Sequence, residues 1–447
     1  MINDPSLLVR SDEYGLLTDL YQLTMAACYV GEGLDQRRAS FELFVRRLPA
    51  GFGYLIAAGL ASALDYLEKF QFTAEQVAAL KATDIFAGAP ADFWSLLESG
   101  QFSGDVWAVP EGTAIYANEP ILRVEAPLWQ AQIVETYLLN AINYQTLIAT
   151  KAARLRDVAG PKAKLLEFGT RRAFGPQASL WAARAALAGG LDATSNVLAA
   201  LKLGHKPVGT MAHALVMALA ALEGSEADAF TAFHRYFPGA PLLIDTYDTV
   251  AAAELLAQQP ADNLAGVRLD SGDLVDLSQQ VRQLLPGVPI FASGDLDERE
   301  IVRLKKAGAC IDGYGLGTKL VTGVPVNGVY KLVDIDGIPV MKEASGKFTY
   351  PGRKQIFRSA TGDRLGLATE ALPKDTQALL MPVMENGVRL TSIEPLDRIR
   401  QRATESVAQL PSDVRDVVNP SVPQATISMD LQQLTNCTSR GQLATVS

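Results

Sequence analysis

Two glycine-rich clusters in the second half of the chain could bind a phosphate group. They are Ser293-Gly294-Asp295 and Gly315-Leu316-Gly317-Thr318-Lys319, and each follows a short apolar run. Glycine lets backbone N–H groups approach an anion, while threonine and lysine supply a hydroxyl donor and a positive charge. Glycines at these positions could equally form tight strand-to-helix turns. Because the clusters follow neighbouring predicted strands, we favour a phosphate site built from Gly294, Gly315, Gly317 and Thr318.

One short segment, Arg268-Leu269-Asp270-Ser271-Gly272-Asp273, combines a cation with two carboxylates. An arginine can clamp a carboxylate or a phosphate, and aspartates can bind ribose hydroxyls or magnesium. The alternative is an internal ion pair with a helix N-cap, in which Asp270 or Ser271 accepts from the first turn. We predict that Arg268 binds a ligand and that Asp270 and Asp273 have a catalytic or magnesium-binding role.

The chain has three histidines, and one of them follows a strand-like run in Gly209-Thr210-Met211-Ala212-His213. A histidine at that position could act as a nucleophile or a base. It could also be a hydrogen-bonded core residue at the start of an apolar helix. His205 and His234 are interpreted as structural, and no metal-ligand spacing joins the three.

An aromatic residue and two arginines occur together in Glu167-Phe168-Gly169-Thr170-Arg171-Arg172. Such a set can stack against a planar ring and pair with its carboxylate. The alternative is a core phenylalanine beside two solvated arginines. Tyr21 lies far away on a predicted helix at 18–30, where an aromatic side chain belongs to the core by default.

Short β-rich runs alternate with helical segments between residues 164 and 320. The predicted strands are 164–168, 207–210, 242–245, 266–269, 289–292 and 310–314, and the later helices are 250–258, 274–285 and 298–307. This alternation indicates a parallel sheet with crossover helices. The polar clusters follow the carboxyl ends of strands, which is where barrel active sites are built. We therefore predict an α/β fold with an irregular β/α barrel rather than an open doubly wound sheet.

The remaining segments predict a second, discontinuous α+β sandwich domain. Mixed helical and strand-like segments favour an N-terminal sandwich domain over 1–128, followed by the barrel with the active site over 129–328. A strand-rich return to the sandwich domain is predicted over 329–410. Residues 411–447 are rich in Ser, Thr, Gln and Pro, which predicts a poorly ordered tail or a short C-terminal extension.

Composition excludes several classes of protein. The 447 residues include 40 basic and 49 acidic side chains, a formal charge of −9, which argues against a general nucleic-acid binder. The longest strongly apolar stretch, 214–222, is shorter than the roughly 20 residues that a membrane span requires. Three widely spaced cysteines and an acidic N-terminal segment predict a cytoplasmic protein without a secretion signal.

Together these residues closely resemble the nicotinate phosphoribosyltransferase family over nearly all of 17–358. The motifs that carry the resemblance occur in order: TDLYQLTM at 18–25, FELFVRRLP at 41–49, EFGTRRAFGP at 167–176, GTMAH at 209–213, RLDSGDL at 268–274, GLGTKL at 315–320 and YPGRKQIFR at 350–358. The resemblance implies a type II phosphoribosyltransferase barrel, an N-terminal sandwich domain and a homodimer. No cysteine set for a structural zinc is present, so no structural metal is expected.

The family resemblance implies a reaction between nicotinate and 5-phosphoribosyl 1-pyrophosphate that yields nicotinate mononucleotide and pyrophosphate in NAD salvage. ATP hydrolysis would be coupled to this reaction, with Mg²⁺ as a cofactor. His213 matches the histidine that ATP transiently phosphorylates, and Asp245 is a plausible partner that orients its imidazole.

The resemblance also assigns the substrate pocket. Phe168 and Tyr21 would sandwich the pyridine ring, with Tyr21 donated by the other subunit, so that the dimer shares its active sites. Thr210 and Arg268 match positions that contact nicotinate, and Arg171 belongs to the same pocket. The phosphate cradle would be Gly294, Gly315, Gly317 and Thr318, and Asp270 and Asp273 would bind ribose or magnesium.

Ser195 bears on the choice between acid and amide substrates. The related nicotinamide enzymes carry an aspartate in the segment corresponding to Thr194-Ser195-Asn196. A carboxylate there would repel the carboxylate of nicotinate, whereas a hydroxyl can donate to it. The open alternatives are a nicotinamide or quinolinate phosphoribosyltransferase and a non-catalytic phosphosugar-binding relative.

Overall fold

The structure is a computed structural model that describes residues 7–258, 264–344 and 347–446. The chain divides into two compact units. The antiparallel unit comprises Met1–Thr146, Pro325–Ile399 and Ser421–Ser447, and the barrel unit comprises Leu147–Val324 and Arg400–Pro420.

The strands, numbered along the chain, are β1 (Arg38–Val45), β2 (Leu55–Ile56), β3 (Asp105–Ala108), β4 (Ala114–Ile115), β5 (Pro120–Pro127), β6 (Lys164–Glu167), β7 (Ala193–Thr194), β8 (Leu242–Leu243), β9 (Val267–Leu269), β10 (Ile290–Ala292), β11 (Gly313–Leu316), β12 (Gly328–Ile335), β13 (Ile338–Pro339), β14 (Glu343–Ala344), β15 (Lys347–Phe348), β16 (Lys354–Ser359), β17 (Gly362–Leu367), β18 (Gln377–Ala378), β19 (Met381–Glu385), β20 (Val388–Arg389) and β21 (Thr426–Ile427).

The α-helices are α1 (Leu20–Gly31), α2 (Leu60–Glu68), α3 (Ala74–Lys81), α4 (Ala91–Ser99), α5 (Leu128–Ile133), α6 (Glu135–Ala159), α7 (Pro176–Gly189), α8 (Val197–Lys202), α9 (His213–Glu223), α10 (Glu226–Tyr236), α11 (Thr249–Ala257), α12 (Leu274–Leu284), α13 (Glu298–Lys306), α14 (Thr318–Val321), α15 (Leu396–Ala408) and α16 (Met429–Val446). Single 3₁₀ turns occur at Ser11–Glu13 and Thr170–Arg172. Among the described residues, no helix combines the length and apolar character needed to cross a membrane.

The antiparallel unit is built on a sheet in which the described strands follow the order β13-β12-β1-β5-β3-β19-β20. The central strand β1 pairs antiparallel with β5 on one side and with β12 on the other. Its side chains are buried on both faces from Ala39 to Val45, which gives the unit its core. Because β12 follows the barrel segment in sequence, the unit is discontinuous, as the sequence predicts.

The unit boundaries differ from the predicted 128 and 328. The division falls inside α6, because the first half of that helix bonds within the antiparallel unit. Thr146 Oγ1 donates to Ala58 O at 3.2 Å, and Gly328 N donates to Asn143 Oδ1 at 3.1 Å.

The segment 411–447, predicted as a poorly ordered tail or short extension, contains regular structure in its described part. Strand β21 pairs in parallel with β17, and Leu431 of helix α16 is fully buried. Polar composition obscured this arrangement, because a few apolar side chains such as Val414, Val417 and Leu431 provide the packing while most of their neighbours stay exposed.

The barrel unit has a parallel sheet, whose described strands follow the order β7-β6-β11-β10-β9-β8. The α/β class and the irregular barrel are confirmed. Helices α11, α12 and α13 begin and end within one residue of their predicted limits. Each begins with an aspartate whose carboxylate accepts from the first turn: Asp248, Asp273 and Asp297.

The predicted strand at 207–210 is wrong, and the difference explains why the barrel is irregular. This segment has no regular structure, yet it lies between the edge strands β7 and β8. Val208 N donates to Thr194 O at 3.0 Å, and Thr210 Oγ1 donates to Pro241 O at 2.7 Å. Proline at 207 lacks an N–H donor, so a continuous ladder cannot form there.

Candidate active site

A cavity of about 790 Å³ opens at the carboxyl ends of the barrel strands. The predicted site residues that line it are Phe168, Arg171, Ser195, Thr210, Arg268, Asp270, Gly294, Gly315, Gly317 and Thr318. They come from loops that are far apart in sequence, and the parallel sheet brings them together because its strands end on the same face.

Phe168 supplies the aromatic wall of this cavity and is only half-buried. Its backbone N–H donates to Leu316 O at 2.7 Å, which extends the pairing of β6 with β11 by one residue. A Cβ on Gly315 would lie 2.7 Å from the Phe168 ring. Glycine at 315 therefore makes room for the ring, so its role here is packing.

Arg268 projects from β9 into the cavity, and its guanidinium is mostly buried. Nη2 lies 3.9 Å from Oδ1 of Asp270, and Nε has no hydrogen-bond partner among the described residues. Burial lowers the pKa of Arg268, and the carboxylates of Asp270 and Asp245 oppose that shift. A buried guanidinium with an unsatisfied donor is suited to an anionic ligand with two oxygens.

Asp270 and Asp273 have different roles in the structure. Asp270 lines the cavity and accepts a hydrogen bond from Ser293 Oγ at 2.5 Å. Asp273 caps helix α12, with Oδ1 accepting from Val275 N at 3.0 Å and from Asp276 N at 3.3 Å. The helix N-cap that was the alternative for this segment therefore exists, but Asp273 provides it rather than Asp270 or Ser271.

His213 is the first residue of α9, directly after cavity-lining Met211 and Ala212, and its side chain is 39% exposed. Its Nδ1 lies 3.1 Å from Oγ1 of Thr246, and its Nε2 lies 4.0 Å from Oδ1 of Asp245. The other oxygen of Asp245 accepts from Asp270 N at 2.8 Å and from Ser271 Oγ at 2.7 Å. Asp245 thus links the histidine to the segment that carries Arg268 and Asp270.

The glycines of the predicted phosphate loops have distinct physical roles. Gly294 has φ +92°, and a Cβ there would lie 2.4 Å from Asp270 O, so the turn itself requires glycine. A Cβ on Gly317 would meet only the backbone carbonyl of Phe168, with the oxygen at the ordinary contact distance of 3.5 Å. Packing therefore does not explain Gly317, which precedes Thr318 at the start of α14.

Glu167 is a positioning residue. It belongs to the motif at 167–172, but no role was predicted for it. It is buried at the end of β6, where it accepts from Gly169 N and, at 2.5 Å, from Thr194 Oγ1. Burial raises its pKa, and these two hydrogen bonds oppose the shift. Its own carbonyl accepts from Ser195 N at 2.9 Å. Glu167 therefore fixes the loops that carry Phe168 and Ser195 relative to each other.

One functional neighbour, Thr246, was not predicted from sequence. Thr246 follows Asp245 directly, and a hydroxyl beside a candidate orienting carboxylate was the available signal.

Tyr21 was predicted, but it lies on α1 in the antiparallel unit and does not line the barrel cavity. Its side chain is 48% exposed, which is high for an aromatic residue.

Three family models match the chain. The nicotinate phosphoribosyltransferase (NAPRTase) N-terminal domain matches residues 16–143, and the NAPRTase family model matches residues 163–290. The nicotinate phosphoribosyltransferase C-terminal domain matches residues 362–435. The last match lies beyond the motif at 350–358, where the motifs that carry the resemblance end.

Similar proteins match over most of their length. Nicotinate phosphoribosyltransferase pncB2 of Mycobacterium tuberculosis is 41% identical over 431 residues, which covers 92% of this chain and 90% of the relative. The Bacillus subtilis nicotinate phosphoribosyltransferase is 45% identical over 372 residues, 78% of this chain and 74% of the relative. The crystal structure of human nicotinic acid phosphoribosyltransferase superposes with a TM-score of 0.83 at 30% identity, covering 94% of this chain and 99% of that one.

Proposed function

The chain belongs to the nicotinate phosphoribosyltransferase family, and from that premise we propose that it joins nicotinate to 5-phosphoribosyl 1-pyrophosphate. The products are nicotinate mononucleotide and pyrophosphate, which feed the salvage route to NAD. The observation that carries the proposal is the buried guanidinium of Arg268. It lines one cavity with the aromatic ring of Phe168 and the glycine loops at 294 and 315–317. An aromatic acid and a sugar phosphate together match that combination of groups.

Nicotinate binding rests on Arg268, Phe168 and Ser195. The carboxylate of nicotinate pairs with the guanidinium, whose Nε lacks a partner among the described residues. The pyridine ring stacks on Phe168, and the hydroxyl of Ser195 donates to the carboxylate. An amide substrate would bring no negative charge to the buried guanidinium of Arg268, whose contact with Asp270 is as long as 3.9 Å, and this favours the acid over nicotinamide.

The chemical step needs positioning and charge stabilisation more than covalent chemistry. The ring nitrogen of nicotinate attacks C1 of the ribose, the C1–N bond forms, and the C1–O bond to pyrophosphate breaks. Positive charge develops on the ribose and negative charge grows on the leaving group, so fixed opposite charges lower the barrier. Asp270 lines the cavity with a carboxylate that can stabilise the positive sugar.

ATP coupling is proposed to pass through His213. The imidazole is accessible to solvent, and the unpartnered oxygen of Asp245 faces its Nε2. A phosphoryl group transferred from ATP to His213 would add negative charge close to the Asp245–Asp270 segment. If that charge favours substrate over product binding, hydrolysis of the phosphohistidine is coupled to synthesis.

Magnesium is proposed to bind through the substrate phosphates and Asp270. Within 7–258, 264–344 and 347–446, no group of three or more acidic, histidine or cysteine side chains is arranged to hold a metal. Mg²⁺ commonly binds through one or two carboxylates together with phosphate oxygens, and Asp270 fits that requirement. Asp273 fits less well because its carboxylate caps α12. When bound, the ion neutralises charge on the pyrophosphate.

A homodimer with shared active sites is proposed from exposed apolar side chains near the cavity. Val197, Leu198 and Leu201 on α8 are each more than half exposed, although α8 begins two residues after Ser195. Clustered exposed apolar residues often mark an interface. We propose that a second copy of the chain covers this face and contributes its Tyr21 to the pyridine pocket.

We also propose that the enzyme works in the cytoplasm. Cys28, Cys310 and Cys437 are all free thiols in the structure. A reducing compartment keeps thiols in that state.

One assay tests the proposed reaction directly. Purified protein is incubated with 5-phosphoribosyl 1-pyrophosphate and either nicotinate or nicotinamide, with and without ATP and Mg²⁺, and released pyrophosphate and mononucleotide are quantified. We expect rapid turnover with nicotinate, stimulation by ATP, and dependence on Mg²⁺. Faster turnover with nicotinamide would contradict the substrate assignment, and an ATP-independent rate would contradict the coupling.

A further inference from the structure

Lys151 connects the core of the barrel unit to the end of the loop Gly315–Thr318. It lies on α6, and its ammonium donates to the backbone carbonyls of Lys319 and Thr322, the latter at 2.6 Å. Neither carbonyl belongs to a residue assigned to substrate binding. The contact is nevertheless close to Thr318 of the proposed phosphate cradle, because Lys319 is the next residue and Thr322 follows the end of the same turn.

Helix α14 depends on such external contacts because it is only four residues long. A single turn has no independent stability, and its last carbonyls lack partners within the helix. Leu320 and Val321 are fully buried and hold the apolar side of the turn. Lys151 supplies donors to the carbonyl end, where a positive charge also interacts favourably with the peptide dipoles.

The surroundings of Lys151 accommodate its ammonium. Gly323 has φ +155°, and a Cβ at that position would lie 3.2 Å from Nζ of Lys151. Burial lowers the pKa of Lys151, while the carboxylates of Glu298 and Asp297 oppose that shift. The lysine is thus a mostly buried donor with specific acceptors rather than a solvated surface charge.

We infer that Lys151 is a positioning residue that holds α14 in place, so that Gly317 and Thr318 can bind the 5-phosphate of the phosphoribosyl substrate. This inference rests on the proposed function, because it concerns the same phosphate site. Removing the ammonium frees two carbonyls and loosens the single turn. Arg268 and Ser195 are held by β9 and by Glu167, independently of α14. The loss should therefore fall on the phosphoribosyl substrate.

The test compares the kinetics of Lys151→Met and Lys151→Arg with the wild type. Methionine keeps the length of the side chain and removes its donors, whereas arginine keeps donors and charge. For K151M we expect the KM for 5-phosphoribosyl 1-pyrophosphate to rise about tenfold or more, with the KM for nicotinate and kcat within about threefold. K151R should recover a large part of the affinity for the phosphoribosyl substrate.

Lys305 offers a matched control in the same unit. Its Nζ donates to Val158 O at 2.6 Å and to Ala159 O at 3.1 Å, at the end of α6. Lys305→Met therefore removes a similar pair of lysine–carbonyl bonds at a helix end, away from the phosphate loop. We expect K305M to lower the melting temperature and to leave both KM values unchanged.

Several results would overturn the inference. An unchanged KM for the phosphoribosyl substrate in K151M, an equal rise in both KM values, or the same selective rise in K305M would each do so. If the wild type shows no turnover, the proposed function fails, and calorimetric titration with 5-phosphoribosyl 1-pyrophosphate then tests Lys151 separately. If K151M does not fold, K151Q replaces it, because glutamine also lacks the positive charge. An unchanged KM for 5-phosphoribosyl 1-pyrophosphate in folded K151Q would then reject the inference.

Discussion

Oδ1 of Asp245 lies 4.0 Å from Nε2 of His213 and has no hydrogen-bond partner among the described residues. The side chain of Asp245 is only 3% exposed, so water has little access to donate a hydrogen bond to this oxygen. A buried carboxylate oxygen without a partner is costly. A protonated or phosphorylated imidazole that turns an N–H towards it would relieve that cost, and this relationship underlies the first prediction.

Asp245→Asn should slow the formation of phosphohistidine on His213. The amide keeps the shape of the carboxylate but removes its negative charge, so we expect the ATP-stimulated rate to fall about tenfold or more, equivalent to about 1.4 kcal/mol. Acid-labile phosphate on the protein, followed by ³¹P NMR, measures the step directly. Asp248→Asn is the control, because Asp248 caps α11 and asparagine caps equally well. Equal effects of the two substitutions would refute the role of Asp245.

Arg268→Lys should weaken nicotinate binding although the positive charge is kept. Lysine lacks the forked donors that match a carboxylate, so we expect the KM for nicotinate to rise about tenfold. Steady-state kinetics with each substrate varied in turn provides the measurement. Arg303→Lys serves as a control, because Arg303 is exposed and pairs with Glu300 on α13. A larger change for the phosphoribosyl substrate than for nicotinate would assign Arg268 to the other ligand.

Ser195→Asp should reduce turnover of nicotinate by about tenfold or more, which corresponds to about 1.4 kcal/mol. The new carboxylate repels the carboxylate of the substrate in a partly buried site. The control is Ser195→Asn, because asparagine has nearly the same volume as aspartate but no charge. The difference between the two variants measures charge repulsion apart from crowding. The assignment of Ser195 is wrong if nicotinate kinetics in S195D match those of S195N.

Glu119→Gln should change how stability depends on pH. Glu119 is fully buried in the antiparallel unit, and burial followed by the nearby Asp363 raises its pKa well above 4.5. The folded state then binds a proton that the unfolded state releases, so stability falls as pH rises from about 4.5 through the higher folded pKa.

Glutamine cannot bind or release this proton, so in E119Q the free energy of unfolding should lose the pH dependence that Glu119 contributes. Each unit by which the pKa is raised corresponds to about 1.4 kcal/mol at pH values above the folded pKa. Thermal unfolding between pH 4 and pH 8 measures the difference between the two proteins. Glu98→Gln, an exposed position, is the control. Parallel stability curves for wild type and E119Q would show that Glu119 is not protonated in the folded state.

Much of the barrel was predictable, because strand ends and polar clusters coincide in the sequence. Phe168, Arg268 and Thr318 were placed in one cavity by that rule alone. The same rule could not separate Asp270 from Asp273. A carboxylate that binds ligand and one that caps a helix occupy equivalent positions after a strand, and only the hydrogen bonds to Val275 and Asp276 tell them apart.

Other features depended on contacts that no local pattern records. Lys151 and the carbonyl of Lys319 are separated by 168 positions in the chain. Residues 207–210 have the composition of a strand, but Pro207 removes the donor that a ladder needs. The segment after 410 has a polar composition, and its few buried side chains are not distinguished in the sequence from exposed ones. Only their packing in the fold shows that the segment is ordered.

The irregular stretch that bears Thr210 joins the two edge strands through just two of the described hydrogen bonds, one on each side. The strands β6, β11, β10 and β9 of the same sheet are instead joined to their neighbours by parallel pairing. The part of the cavity wall that carries a residue assigned to nicotinate is thus attached to the sheet more loosely than the strands beside it.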